Sequence, residues 1–567
     1  MKQENANIRG RDALIAWQQS QPSNVYTSDA HFRKVLKKHA GGRLERIERD
    51  LIRFGEEVAG PVDALVRENN LHTNLPRLER YNGVGVRTEQ IVHHPTYHDA
   101  GRYIYGSGVM EAYAEHPNHL GALARFYVSS YNGEAGHNCP LACTAGVIRV
   151  IQELGSDELR QRFLQRLLDR DYDRHYEGAQ FLTEVQGGSD VGANATRAVQ
   201  AADGTWRIFG EKWFCSNIDA DLFLMTARPE VEGQSDEGTR GLGLFLVPRN
   251  LEDGRVNEFK VRRLKDKLGT RSMASGEADF EGAVAFHMGE LGEGFRNMME
   301  LVINTSRIYN AVGCAGVSRR AFVTAQTYAK HRAAFGTAIV DYPLVQEHLA
   351  DMRAKLEAMT SGTFHIVALQ DQIEAGEADE AQSGFQRLAV NLNKMATAKM
   401  SRAMVVDAIE VLGGNGAIES FSVLPRLLRD AIVYENWEGT HNTLLMQMYR
   451  DMAKYRVHEA FFGELLRMAS AEHVCKRRGP ELRGQLEELS VRVNSILAMP
   501  SAVAPVHLRP VMDEVAQAMY AAVRLFESDA MTPNDDDSIE HFFDVEIRHR
   551  RTRDEAYFQR IERFARG

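Results

Sequence analysis

Glu438 stands in YENWEGTHNTL between an indole and a glycine. A carboxylate in that setting is a candidate base, because an aromatic neighbour strips water from it and raises its proton affinity toward neutrality. The same stretch also reads as the first turn of a helix carrying a surface carboxylate, a placement that the helix dipole favours. A second stretch, FLTEVQGGSDVGANATRA, runs from a β-type segment into a glycine pair, with hydroxyls at Thr183 and Ser189. Gly187 and Gly188 leave backbone N–H groups open to close approach by a polar or anionic ligand, although QGGSD also suits an ordinary turn. GEKWFCSN sets Trp213 and Phe214 beside Ser216. Those rings could flank a flat heteroaromatic group and the hydroxyl could bond its edge; a core aromatic with a buried hydroxyl is the plainer reading. HRAAFG adds Arg332 and Phe335, and EVLGGNGAIES adds Gly413 and Gly414.

The elements that must position these residues fall into zones. From Leu36 to about Ile151 the chain reads as mainly helical: LERIERDLIRFGEEVAGPVDALV has apolar residues at helical spacing, and CPLACTAGVIRVIQELG is a more buried helix ending near Gly155. Between about Gly178 and Val284 the pattern turns to β-type runs separated by Gly, Asn and Asp: AQFLTE, TWRIFGEKWFCS, DLFLMTA, LGLFLVP and GEADFEGAVAF. With no helical stretch between them, they predict a small antiparallel sheet or barrel. Helical periodicity returns from Gly294, with small residues such as Ala315, Gly316 and Ala321 suited to an antiparallel bundle. After Asp451 a further segment reads as helical apart from AMPSAVAPVHLRP and TPNDDDS. The boundaries so read are 1–177 (helical domain), 178–290 (β domain), 291–450 (helical bundle) and 451–567 (extra helical subdomain), an α+β architecture.

A chain of 567 residues can bury a large core, and its apolar fraction of 44% is ordinary for a globular protein. A net charge of -10 works against nonspecific attraction to phosphate backbones, so a nucleic-acid role requires a local basic patch. Two candidates exist: Lys476, Arg477 and Arg478, and Arg548, Arg550, Arg551 and Arg553. Acidic residues interrupt them, among them Asp535, Asp536, Asp537, Asp544 and Glu546. The usual reading of such runs is a solvated helix face or inter-subunit salt bridges. The five cysteines (Cys139, Cys143, Cys215, Cys314, Cys475) are too few and scattered for a disulfide framework, which points to a reduced, cytoplasmic protein. Cys139 and Cys143 lack a second Cys/His pair that would complete a zinc set, so no metal is expected. The N-terminus is polar, arguing against export, and no apolar stretch is long enough to span a bilayer.

Taken in order, LTEVQGGSD, KWFCSN, RAAFG, VLGGNG and LLRDAIVYENWEGT resemble the acyl-CoA dehydrogenase family, over about Cys139 to Leu445. RLKDKLGTRSMAS, NGEAGHNCPLACT, RYNGVG followed by HHPTYH, and the extra C-terminal segment resemble its AidB-type branch of alkylation-response proteins. The resemblance implies FAD as cofactor and Glu438 as the base. By the same resemblance Phe181, Leu182, Thr183, Gly187, Gly188, Ser189, Phe214, Cys215 and Ser216 hold the isoalloxazine, and Thr440, His441 and Asn442 follow as flavin-binding positions. Arg332, with Phe335 in the same motif, and Glu410 to Gly414 fall where a neighbouring subunit's FAD is held through its adenine half. Ser189, Arg307 and Gly439 fall at positions contacting the CoA thioester or its pantetheine and phosphates. Pro343 and Glu410 replace glutamines usual in the family, and Asn304 replaces an acid usual near the substrate arginine.

The implied reaction is α,β-dehydrogenation of an acyl-CoA, with proton loss to Glu438, hydride transfer to flavin N5 and a trans-2-enoyl product. An electron-transfer flavoprotein or another acceptor would then reoxidise the flavin, and the shared FAD site implies an assembly of two or four subunits. Two further readings stay open: a DNA-associated protective flavoprotein with little dehydrogenase turnover, and a flavin-binding scaffold or oxygen-reactive oxidase.

Overall fold

A computed structural model describes residues 6–231, 237–471, 478–528 and 533–566. Cys475, Lys476 and Arg477 lie outside these, as do the side chains of Asp535 and Asp536. Three helices open the chain: α1 (Ala6–Gln19), α2 (Ala30–Ala40) and α3 (Leu44–Glu57). In α3 the buried residues Ile47, Leu51 and Phe54 recur three or four positions apart, one apolar stripe against an otherwise charged sequence. Next come α4 (Asp63–Asn69), a hairpin of β1 (Arg77–Tyr81) and β2 (Arg87–Val92), then α5 (Pro95–Gly106), α6 (His119–Ser130) and α7 (Asn138–Leu154). The hairpin departs from the mainly helical reading of this zone. Its turn is built on Asn82, whose side-chain oxygen accepts from the backbone N–H of Val84 and of Val86, 3.0 Å each. An Asn-Gly pair between two short segments is the local signal for it. Gly155 caps α7, as its position in the sequence predicts.

Seven strands follow: β3 (Gly178–Phe181), β4 (Arg197–Gln200), β5 (Trp206–Ser216), β6 (Leu222–Pro229), β7 (Gly243–Pro248), β8 (Phe259–Leu264) and β9 (Ser275–Met288). Pairings run β6-β4-β5-β9-β7 and back to β6, so the sheet closes into a ring, with β3 on β6 and β8 on β9. Most pairs are antiparallel, but β6 runs parallel to both β3 and β4. β4 and β8 escape the periodicity reading because each is short and carries charge on its exposed positions. Phe181, Phe223, Phe245 and Phe259 fill the barrel core, with the Phe181 and Phe223 rings 4.8 Å apart.

Apart from a short hairpin at 333–338, the rest of the chain is helical: α8 (Asn304–His331), α9 (Pro343–Glu374), α10 (Glu380–Leu412), α11 (Leu424–Asn436), α12 (His441–Tyr455), α13 (Val457–Ala469), α14 (Arg478–Leu497), α15 (Ala504–Glu527), α16 (Pro533–Phe542) and α17 (Glu555–Arg566). α9 starts with proline at its first position, where the missing N–H costs nothing, and α10 with a capping box between Asp379 and Gln382. Packing divides the chain into two compact units, residues 60–309 and residues 1–59 with 310–567, the division falling within α8.

In the second of these units α15 is a core helix. A Cβ on Gly362 of α9 would lie 2.4 Å from the Tyr520 ring, so glycine is what lets α15 approach this closely. Tyr520 also donates to the Asn393 side chain of α10 at 2.9 Å. The C-terminal arginines are tied inward. Arg548 bonds Glu481, Glu540 and Asp544, at 2.6 to 2.7 Å; Arg551 reaches Asp351 at 2.8 Å; Arg553 reaches Glu347 at 3.2 Å; Arg478 bonds Glu540 at 2.7 Å. These are ion pairs between elements of one chain, while Arg550 and Arg553 keep a solvated face. Among the described residues no helix is long and apolar enough to cross a membrane.

Candidate active site

Glu438 lies in the four-residue connection from α11 to α12, with φ +55°, and Gly439 follows at φ +107°. Left-handed backbone is costly for a residue with a Cβ and persists only where surrounding structure enforces it. The enforcement is visible. Lys394, fully buried on α10, donates from its ammonium to the carbonyl oxygens of Glu435 and Gly439, 3.0 Å each, so one cation grips the connection on both sides of Glu438. Before the turn, Asn310 of α8 donates to the Tyr434 carbonyl at 3.1 Å, and the Trp437 ring packs on Tyr434 with centroids 5.0 Å apart.

After the turn, Thr440 caps α12 through its side-chain oxygen, and His441 pairs with Glu435 at 2.9 Å. Burial holds the His441 imidazole below its ordinary pKa, against the pull of Glu435. Asn442 accepts from Arg509 of α15 at 2.9 Å. Glu438 itself is half-buried. Glu438 stands two residues before the Thr440 cap, at the start of α12 and outside its first turn. Lys394 was invisible to the sequence reading: inside NLNKMATA it looks like any exposed helix lysine, and only burial distinguishes it.

The same unit carries Arg332 and Phe335 on a tight hairpin, Ala333–Ala334 against Thr337–Ala338, whose tip residue Phe335 has φ +51° and is fully exposed. Pro343 is the first residue of α9. Glu410, Gly413 and Gly414 lie at the exposed end of α10, where Gly413 leaves the helix at φ +61°.

In the unit of residues 60–309, Phe181 ends β3 inside the barrel, and Leu182 and Thr183 lead into the glycine turn. The Thr183 carbonyl accepts from Trp213 N–H at 2.9 Å, which joins this turn to the KWFCS end of β5. A buried ion pair fastens the joint: Lys212 meets Glu184 at 2.7 Å and donates to the Thr226 carbonyl at 3.1 Å, while Glu184 also accepts from Thr196 Oγ1 at 2.6 Å. Burial alone would raise the pKa of Glu184, but Lys212 and the Thr196 hydroxyl hold it below the usual carboxylate range. On Gly188 a Cβ would sit 2.7 Å from Thr183 Oγ1, so a larger residue there would have to displace that hydroxyl from the turn, with Ser189 exposed beside it.

On β5, Phe214 is exposed and Trp213 and Ser216 are half-buried, the Lys265 ammonium lying 3.8 Å over the Trp213 ring. The Cys215 side chain points the other way, into the barrel core, where burial pushes its thiol up to about 12. Any ligand contact at Cys215 is therefore made by backbone. Arg307 is buried near the start of α8 with its guanidinium 3.5 Å from the Asn304 side-chain oxygen.

Residues 292–453 match the model for the acyl-CoA dehydrogenase C-terminal domain and 179–283 that for its middle domain, while 17–174 match the adaptive response protein AidB N-terminal domain. The chain is 31% identical to the putative acyl-CoA dehydrogenase AidB of Escherichia coli, over 82% of this chain and 86% of that protein. It belongs to the acyl-CoA dehydrogenase family. Acyl-CoA dehydrogenase family member 11 of Caenorhabditis elegans is 32% identical over 75% of this chain and 70% of its own length. The crystal structure of C. elegans ACDH-11 in complex with C11-CoA superposes with a TM-score of 0.83 at 27% identity, covering 93% of this chain and 92% of that one. Within the family, the AidB-type N-terminal match sets the branch. HHPTYH and NGEAGHNCP, which mark that branch in the sequence, converge in one buried aromatic cluster: His93 stacks on Tyr97 at 3.9 Å, and His137 lies 4.2 Å from Tyr97.

Proposed function

We propose that this chain is an FAD-dependent acyl-CoA dehydrogenase that removes the α-proton of a CoA thioester with Glu438. The observation that carries the reading is the left-handed turn in which Lys394 holds Glu438 half-buried between two bundle helices. A carboxylate partly out of water on a backbone held in one conformation is suited to proton abstraction from a weak carbon acid.

FAD is the cofactor, and when bound it supplies the acceptor for the hydride lost from the β-carbon. The glycine cradle at Gly187 and Gly188 fits it, because it removes side-chain bulk at the mouth of a β-turn whose N–H groups can meet polar ring edges. The backbone of Phe181 and of Cys215, together with Leu182, Thr183, Gly187, Gly188, Ser189, Phe214 and Ser216, is assigned to its ring system, and Thr440 to Asn442 to the flavin beside the base. Arg332, Phe335, Glu410, Gly413 and Gly414 are assigned to the adenine half contributed across a subunit interface. Arg307, Ser189 and Gly439 are assigned to the CoA ester. That a nematode relative was solved with C11-CoA supports a thioester of this class as substrate. An electron-transfer flavoprotein is the proposed acceptor and the cytoplasm the proposed location.

Anaerobic titration of the purified yellow protein with acyl-CoAs of graded length and branching tests this. The wild type is expected to bleach, and Glu438→Gln to keep its FAD while losing bleaching by about 10²-fold to 10⁴-fold, the usual worth of a general base. Normal bleaching in that variant overturns the assignment of the base.

A further inference from the structure

Three helices of the unit formed by residues 1–59 and 310–567 bring two imidazoles and a carboxylate together at a place remote in sequence from every site residue named above. His39 comes from the last turn of α2, His365 from the middle of α9, and Glu527 is the final residue of α15. His39 Nε2 is 2.6 Å from Glu527 Oε1, and His365 Nδ1 is 3.9 Å from the same oxygen. One ligand atom from each of the three lies within 4.8 Å of the others. The side chains are 12%, 13% and 4% exposed for His39, His365 and Glu527.

A purely hydrogen-bonded triad does not account for this grouping. Only the His39 to Glu527 bond has hydrogen-bonding distance; His365 Nδ1 and Glu527 Oε2 are both buried without a protein partner. Two electron-pair donors, kept from water and aimed at a common point beside a third, are what a cation would satisfy. We propose that His39, His365 and Glu527 bind a divalent transition-metal ion of the zinc class, clamping α2 and the end of α15 onto α9.

Imidazole nitrogen with a single carboxylate selects zinc, cobalt or nickel over calcium and magnesium, which take oxygen sets. Metal–ligand bonds of about 2.0–2.2 Å in a tetrahedron place ligand atoms about 3.3–3.6 Å apart. The 2.6 Å and 3.9 Å His–Glu527 separations bracket that spacing, and with all three ligand atoms within 4.8 Å of one another, small rotations of the three side chains bring them to it. The neighbouring cations are already matched: Arg467 by Glu464 at 2.5 and 2.7 Å, and Arg524 by Glu357 at 3.3 Å. Glu527 also ends a 24-residue helix, where carbonyl dipoles favour positive charge. With three protein ligands, the fourth position falls to water, as in other open sites.

The test uses full-length, FAD-loaded protein without a histidine tag, stripped with chelator and desalted. Zinc chloride is added, excess removed, and bound metal counted by mass spectrometry; cobalt chloride in parallel is read by visible absorption. The wild type is expected to retain one equivalent per chain, to show cobalt d–d bands, and to melt at a higher temperature with zinc than without. Glu527→Gln, which keeps the size and hydrogen-bonding of the side chain, and His365→Ala are each expected to lower zinc affinity at least 10-fold and to abolish the thermal shift, with FAD content unchanged. Should His365→Ala not fold, Glu527→Gln decides alone. Failure of the wild type to retain zinc, or equal retention by the folded variants, overturns the proposal in favour of a water-bridged polar cluster.

Discussion

Glu438 is legible as a candidate from its neighbours in sequence, yet what holds its backbone is Lys394, 44 residues earlier and on another helix. The physical demand is simple. A left-handed residue after a helix end leaves carbonyl groups without partners, and a buried ammonium can satisfy two at once. Lys394→Met preserves length and apolar volume but removes the donor. It is expected to cost about 2–3 kcal/mol in urea unfolding, the worth of charge-assisted bonds left unmade, and to slow substrate-driven flavin bleaching at least about 10-fold through loss of the turn. Unchanged bleaching with unchanged stability would mean that the turn holds without it.

Among the elements, the tail helices do not decorate the bundle; they complete it. Glu357 of α9 accepts from Arg353 at 3.0 Å and Arg524 of α15 at 3.3 Å, and Ser538 of α16 donates to it. Burial alone would raise its pKa, but the charges of His31, Arg353 and Arg524 and the Ser538 hydroxyl overcome that and hold it at about 2. A depressed carboxylate contributes stability that is fully present above its unfolded value of about 4.3 and is lost as pH falls through about 2. Thermal midpoints measured between pH 2 and 7 are therefore expected to fall more gently on the acid side in Glu357→Gln than in the wild type. At pH 7 the same variant is expected to lose about 3 kcal/mol, because Arg524 is left buried without its countercharge.

For the molecule as a whole, the surface bears on assembly. Phe335 at the hairpin tip is fully exposed, and Leu344, near the start of α9, is 81% exposed. Large apolar groups so presented, one of them on the hairpin that follows Arg332, suit burial against a second copy, which the proposed adenine contact across subunits requires. Phe335→Asp is expected to shift the protein to a smaller species in light scattering at micromolar concentration and to weaken FAD retention. An unchanged mass would place the interface elsewhere. The C-terminal arginines contribute differently: their partners are carboxylates of this chain, so their part is to hold helices together.

Local order determined what the sequence could disclose by itself. Apolar spacing gave α3 and α7, alternation and glycine-bounded runs gave β5, β6, β7 and β9, and five ordered motifs gave the family, because each depends on residues that are neighbours along the chain. Tertiary structure alone decided the rest. The parallel course of β6, the inward turn of Cys215, the Lys212 and Glu184 pair, the grip of Lys394 and the meeting of His39, His365 and Glu527 all join residues far apart in sequence. A lysine or histidine has the same local pattern exposed or buried; its chemistry is set by which helix packs over it, and that is a property of the whole fold.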